Sequence, residues 1–419
     1  MPAHEPRSRR RGIASLLPPV VLTLGVLHAT SSPAAAAAWR QPAFAASRSS
    51  FNPRETAIDA GSVATLVERW RVAGVGAEGS PVVAGGRVFV ANGDEVVALG
   101  LDDGAELWRE AIDDGYDCCG VWEPVLTPDG KITAEFGWDF GGGVARFDPA
   151  TGANTYVAWF HGSTINRAVR GGEVFAIEYG FGSGGPIFIQ LEPYPGLIFF
   201  GGLFPVPALA GPAVQGERAF VGVGSTVNAY DLTSCPDATG IPTLGKFCGP
   251  AWTATLPAAP KTPVAFRGKV VLAAGDGTLQ VRAAADGALE WSATVGAGIA
   301  HAPAVARKRI FVATKRGILV AFDSRGCGSA TCPAVERFRT GSPATGPPVV
   351  AGNVLYAGTK NGRIVAFPAA GCAQAACDPL LDVDLGGGAI VAGPIVVDGT
   401  VIAGTADGQL VALGLPAPG

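Results

Sequence analysis

The sequence predicts an all-β chain folded as an eight-bladed β-propeller of four-stranded antiparallel blades, closed by an N-terminal strand that completes the last blade. Three observations predict it. One phrase recurs eight times at spacings of 40 to 51 residues. A stray copy of that phrase's final strand stands near the N-terminus, while the eighth repeat lacks one. Glycine and proline are abundant, at 60 and 33 of 419 residues, charged residues make up only 16%, and long helical patterns are missing.

The repeated phrase runs Pro-Val-Val, a glycine turn, an alternating apolar strand, a second glycine turn, and a closing strand. In its first copy residues 80–83 open the phrase, Gly85-Gly86 turn, residues 88–90 alternate, residues 96–99 follow and Leu107-Trp108 close. The residue before the first Val, Ala or Ile of each copy is Pro81, Pro124, Arg167, Pro212, Pro263, Pro303, Pro348 and Pro394. Four strands in some 45 residues is the length of a propeller blade and exceeds that of a leucine-rich repeat. Copy three is degenerate, with Arg167 in place of proline and an atypical run over residues 179–200.

A propeller hides its sheet edges only when its first and last blades share strands. The eighth copy stops at Leu413 without a closing Trp strand, and Glu68-Arg69-Trp70-Arg71 has that strand's form, like Glu106-Leu107-Trp108 and Leu289-Glu290-Trp291. Residues 66–415 are therefore the expected propeller. Trp70, Trp108, Trp159, Trp252 and Trp291, at one repeat position, are expected to wedge between neighbouring blades. Gly277, Gly317, Gly362 and Gly408 are expected at positive φ in tight hairpins.

Residues 1–38 differ from the rest. A basic run from Arg7 to Arg11, an apolar stretch over residues 13–27 and small residues at 34–38 form the pattern of a secretory signal peptide cleaved before Trp39. The stretch is too short to span a bilayer and holds Pro18 and Pro19. Ser8-Arg9-Arg10 makes a partial twin-arginine signal that Gly12-Ile13 does not complete, so the export route stays open. Residues 39–65 form a lead-in. The expected location is secreted, periplasmic or at the cell surface, with no transmembrane segment in the mature chain. A net charge of −4 gives no footprint for nucleic acid.

An even count of eight cysteines suits an exported chain with disulfides. Cys235 and Cys248, Cys327 and Cys332, and Cys372 and Cys377 each flank one loop, and Cys118 and Cys119 are adjacent. Loop entropy gives about 2 kcal/mol for each short loop and about 3 for the longer one. These are local clips. The spacings do not suit zinc, and only His161 and His301 remain beyond the signal segment.

The phrase "VVAGGRVFVANGDEVVALGLDDGAELW" and its variants "VVLAAGDGTLQVRAAADGALEW" and "RIFVATKRGILVAFDSRG" resemble the pyrroloquinoline-quinone (PQQ) repeat. Quinoprotein dehydrogenases, the BamB barrel-assembly propeller and other exported PQQ-like propellers share it, so the resemblance implies the fold more than a function. Exported PQQ-like propellers carry similar cysteine clips after the Phe-Asp of a blade. Here the clips follow Tyr230-Asp231, Phe322-Asp323 and Ala366-Phe367.

One feature points to chemistry. Quinoprotein alcohol dehydrogenases carry adjacent cysteines just before a blade's first strand, joined as a vicinal disulfide over the quinone, and Cys118-Cys119 in "DDGYDCCGVWEPVLTPDGKI" resemble them. Trp122, Trp138, Asp139 and Arg167 are the other candidate cofactor contacts at the same mouth, with simple packing the first reading of the two tryptophans. The resemblance is incomplete: Val121-Trp122-Glu123-Pro124 stands where the enzymes have Asn-Arg-Gly, and no calcium-binding or general-base set is placed by motif. No G-x-S-x-G elbow, H-E-x-x-H or P-loop is present. Basic turns at Lys315-Arg316 and Lys360-Asn361 occupy equivalent positions of two blades and are read first as solvated turns. The expected function is a non-catalytic binding or scaffold protein of the cell envelope, its partner an unspecified protein or envelope component. The alternative is a dehydrogenase using PQQ and calcium, or a cofactor-binding relic of one.

Overall fold

The computed structural model describes residues 38–75, 79–112, 120–138, 141–160, 164–170, 173–178, 187–192, 198–200, 209–234, 246–372 and 377–416. Among these residues there is no α-helix, only a 3-10 turn at Val63–Thr65, and no helix long and apolar enough to cross a membrane. The signal peptide expected over residues 1–38 lies almost wholly outside them.

The described strands form eight sheets, each a meander of four consecutive antiparallel strands or a variant of one. In sheet one Val82–Ala84, Arg87–Asn92, Glu95–Gly100 and Glu106–Ala111 follow in order. The middle strands are expected to alternate, yet Val88, Phe89, Val90 and Ala91 are all buried. The difference is physical: a strand covered on both faces by neighbouring sheets reads as a continuous apolar run. Only the closing strand, at a sheet edge, alternates, with Trp108 buried between exposed or half-buried neighbours. In the degenerate third copy the atypical run supplies Ile187–Glu192 and Ile198–Phe200, which still pair as third and fourth strands.

The last sheet is completed from the other end of the chain. Val67–Ala73 pairs antiparallel with Gln409–Gly414, Trp70 opposite Ala412. Trp70 then reaches the first sheet, donating its indole N–H to the Leu101 carbonyl at 2.8 Å. The same contact repeats along the chain, from Trp108 to the Pro149 carbonyl and from Trp252 to that of Ala284, both at 3.1 Å. Each indole lies on a glycine of the next sheet's turn; a Cβ on Gly287 would sit 2.7 Å from the Trp252 ring. An apolar body with one polar edge suits an intersheet wedge whose N–H still needs an acceptor.

The cysteine loops do more than clip themselves. Cys327–Cys332 and Cys372–Cys377 are disulfides with Cα separations of 5.5 and 5.6 Å. Cys248 is also disulfide-bonded; Cys235, its expected partner, lies outside the described residues. Each loop lays a short parallel segment on the closing strand of the preceding sheet: Lys246–Cys248 on Ile198–Phe200, Thr331 on Ser292, and Cys377 on Phe338. An exposed edge strand is a template for association, and these segments cover it.

Gly287 (φ +75°) and Gly268 (φ +74°) both occupy the left-handed region, but a Cβ on Gly268 meets nothing within 4 Å. Alanine at either position costs about 1–2 kcal/mol of backbone strain. Gly287→Ala adds the clash with Trp252, so its unfolding free energy in a denaturant titration should fall a further ~1–3 kcal/mol below that of Gly268→Ala.

Candidate functional site

The first strand of each sheet pairs with the second strand on one side only, which leaves a row of backbone groups without ladder partners. The lead-in satisfies them sheet by sheet. Trp39 exchanges two hydrogen bonds with Val83 of sheet one, and the Arg40 carbonyl accepts from Leu126 N–H of sheet two. The Gln41 side chain brackets Val169 of sheet three, accepting from its N–H at 2.8 Å and donating to its carbonyl at 2.9 Å. The carbonyls of Ala46, Ser47, Ser49 and Ser50 then accept from Val214, Ala265, Val305 and Val350 of sheets four to seven. The Asn52 amide donates to the Val396 carbonyl of sheet eight at 2.9 Å. To keep this course the lead-in holds Ala43, Phe44, Arg48 and Ser50 at positive φ, an unfavourable region for residues with a Cβ.

Beneath the lead-in lies a buried charged cluster. Arg48, 4% exposed, donates to the Arg167 carbonyl at 2.6 Å and the Pro212 carbonyl at 3.0 Å. Arg167 Nε pairs with Glu135 at 2.7 Å, both side chains nearly inaccessible. Its other two nitrogens donate to the Thr133 hydroxyl at 2.9 Å, the Glu123 carbonyl at 2.7 Å and the Thr133 carbonyl at 3.0 Å. Burial lowers the affinity of Arg48 for its proton, opposed by the charges of Glu123 and Glu135. Burial likewise raises the Glu123 carboxyl, opposed by Arg48 and Arg167. Desolvation dominates both groups, and each is kept in check by the other's sign of charge.

Of the residues expected to contact a cofactor, Arg167 lies in this cluster. Trp122 sits on Gly120–Leu126 opposite Glu135, and Trp138 ends the neighbouring strand Ile132–Trp138, opposite Gly141. Cys118, Cys119 and Asp139 lie outside the described residues. Among the described residues no group of three His, Cys, Asp or Glu side chains is placed to hold a metal ion. Arg48, Glu135 and Gln41 have no repeat period, and the sequence pattern gave no sign of them.

At the opposite end of the strands the second-to-third turns bring Lys315 and Lys360 toward His301 and Lys261. Lys315 Nζ donates to the Gly275 carbonyl at 2.8 Å, and His301 Nε2 lies 3.0 Å from the Ala344 carbonyl. Burial lowers the His301 imidazole's proton affinity, helped by the charges of Lys261 and Lys360.

The family model described as outer membrane protein assembly factor BamB matches residues 25–179 and 249–329, more than half of the chain. No curated protein matches. Among solved structures, quinohemoprotein alcohol dehydrogenase from Comamonas testosteroni superposes with a TM-score of 0.66 at 14% identity, covering 91% of this chain and 81% of its own. BamB from Moraxella catarrhalis gives 0.55 at 16%, covering 83% and 99%. The computationally designed Ika8 protein gives 0.64 at 15%, covering 82% and 97%. At such identities the likeness speaks for the fold alone.

Removing the cation from the Arg167–Glu135 pair leaves a buried carboxylate uncompensated. Arg167→Met should therefore cost about 3–5 kcal/mol in a denaturant titration, and adding Glu135→Leu should recover most of that loss. Glu123 has a carboxyl raised on folding, so its contribution is full below the unfolded value and is lost as pH rises through the folded one. Stability curves measured at acidic and neutral pH should show Glu123→Gln gaining on the unaltered protein as pH rises.

Proposed function

Because this chain belongs to the family of the outer membrane protein assembly factor BamB, we propose that it is an exported, closed, eight-bladed propeller that holds a protein or other component of the cell envelope and performs no chemistry of its own. The course of the lead-in carries this reading. Residues 39–52 reach about 50 Å at full extension, and bonding eight first strands within that length requires the strands to converge around one axis. The Trp70 contact to Leu101 brings the last sheet against the first, which supports closure.

Arg167 acts here as a strut. Its three guanidinium nitrogens are engaged with Glu135, Thr133 and Glu123, so the fork does not fit as a contact to a quinone carboxylate. What remains is a rigid ring presenting loops of varied sequence, which is what recognition of a folded partner requires.

The likeness to a quinohemoprotein alcohol dehydrogenase keeps a second reading, in which Cys118, Cys119, Trp122, Trp138 and Asp139 hold a quinone with calcium at the funnel face. One experiment separates the two. The exported protein is incubated with PQQ and calcium, desalted, and assayed by absorbance and by dye-linked oxidation of primary alcohols. In parallel, photo-crosslinking residues are placed in the turns of intact exporting cells. The scaffold reading expects no retained chromophore, no turnover and a discrete crosslinked adduct; retained quinone with turnover overturns it.

A further inference from the structure

Sheets five and six differ from sheets one and eight at the turn joining their first and second strands. In sheet one this two-residue turn is Gly85-Gly86, with φ of 58° and 72°. In sheet eight it is Asp398-Gly399, with φ of 48° and 73°. Such turns need positive φ at both positions and favour Asn, Asp and Gly. Sheet five instead has Arg267 (φ 43°) before Gly268, and sheet six has Arg307-Lys308 (φ 47° and 68°), two long side chains in a conformation that disfavours them. Strain of this kind persists where something else is gained.

These three cations line one cavity of about 210 Å³ between the two turns and the lead-in. Ser47 and Ser49 enter from the lead-in, their carbonyls tied to Ala265 and Val305, and the buried Ser324 enters from sheet six. Among the described residues no carboxylate lines the cavity. Arg267, Arg307 and Lys308 are all exposed at the rim, and Arg307 is anchored there by an Nε bond to the Gly352 carbonyl. Two guanidinium groups, an ammonium and three hydroxyls, all able to donate, suit a tetrahedral oxyanion bearing several acceptor oxygens. The volume exceeds what inorganic phosphate alone fills and leaves room for a small organic group beside Phe51 and Phe266.

We propose that this cavity binds a phosphate ester. Calorimetry at low ionic strength tests it on the full exported chain, with inorganic phosphate, glycerol 3-phosphate, and vesicles of phosphatidylcholine with or without phosphatidic acid, acetate serving as the control anion. Binding of glycerol 3-phosphate identifies a soluble ester, and binding of acidic vesicles alone identifies a lipid headgroup; either supports the site. The double variant Arg267→Asn, Lys308→Gly removes two charges and places turn-favouring residues at both positions. Its melting temperature without ligand should rise, while its affinity for the phosphate ester falls at least about tenfold per lost contact. Ser324→Ala should weaken binding without changing net charge. Equal binding of acetate, unchanged affinity in the double variant, or no binding of any phosphate compound overturns the proposal.

Discussion

The constraint on which the rest of this structure depends is the open edge of eight first strands. Backbone N–H and C=O groups that face neither a ladder partner nor water are costly, and a sheet arranged around an axis turns one such edge inward at every repeat. The lead-in answers this with a single backbone thread. Its carbonyls accept where they can, and Gln41 and Asn52 side chains substitute where they cannot. Because the thread must follow the sheets rather than its own preferred dihedrals, it carries four non-glycine residues at positive φ. Arg48 is the plainest case, since its strained backbone delivers a guanidinium to carbonyls of two different sheets.

Between sheets the solutions are repetitive, and that made them legible. A tryptophan at one position of five repeats, joined at Trp70, Trp108 and Trp252 to a glycine in the facing turn and a carbonyl beside it, recurs along the chain, so self-comparison of the sequence finds the wedge and the completing strand Val67–Ala73. The lead-in's role was not legible, because it acts through backbone carbonyls that any residue supplies. Arg167 shows a second limit. Its place at the position usually held by proline marks it as unusual, but its partners lie on another strand (Glu135, Thr133) and in the lead-in (Arg48) and follow no period. Sequence alone could single out the arginine and not what it touches. The parallel edge segments were hidden similarly: cysteine spacing reveals a loop closure, whereas the strand on which the loop rests belongs to the previous repeat.

The buried cluster and the basic cavity, both lying against the lead-in, illustrate two uses of positive charge. At Arg48 and Arg167 the cations are matched by Glu123 and Glu135, desolvated and committed to internal bonds. Between sheets five and six the cations stand at the rim of a cavity that, among the described residues, no carboxylate lines. The first arrangement confers a unique register on the lead-in, because a shifted thread would leave buried charges apart. The second keeps its charge available to whatever arrives from solvent.

The lead-in also dictates an order of events. Residues 39–52 are synthesised well before their last partners, Val350 and Val396, and Val67–Ala73 must wait for Gln409–Gly414. A partly made chain can assemble individual sheets but cannot thread their axis or fill their final edge. Completion of the sheets is therefore recorded in the lead-in, whose strained segment settles only once its partners as far as Val396 are present, and a product truncated before them would betray itself by a loose and protease-accessible lead-in.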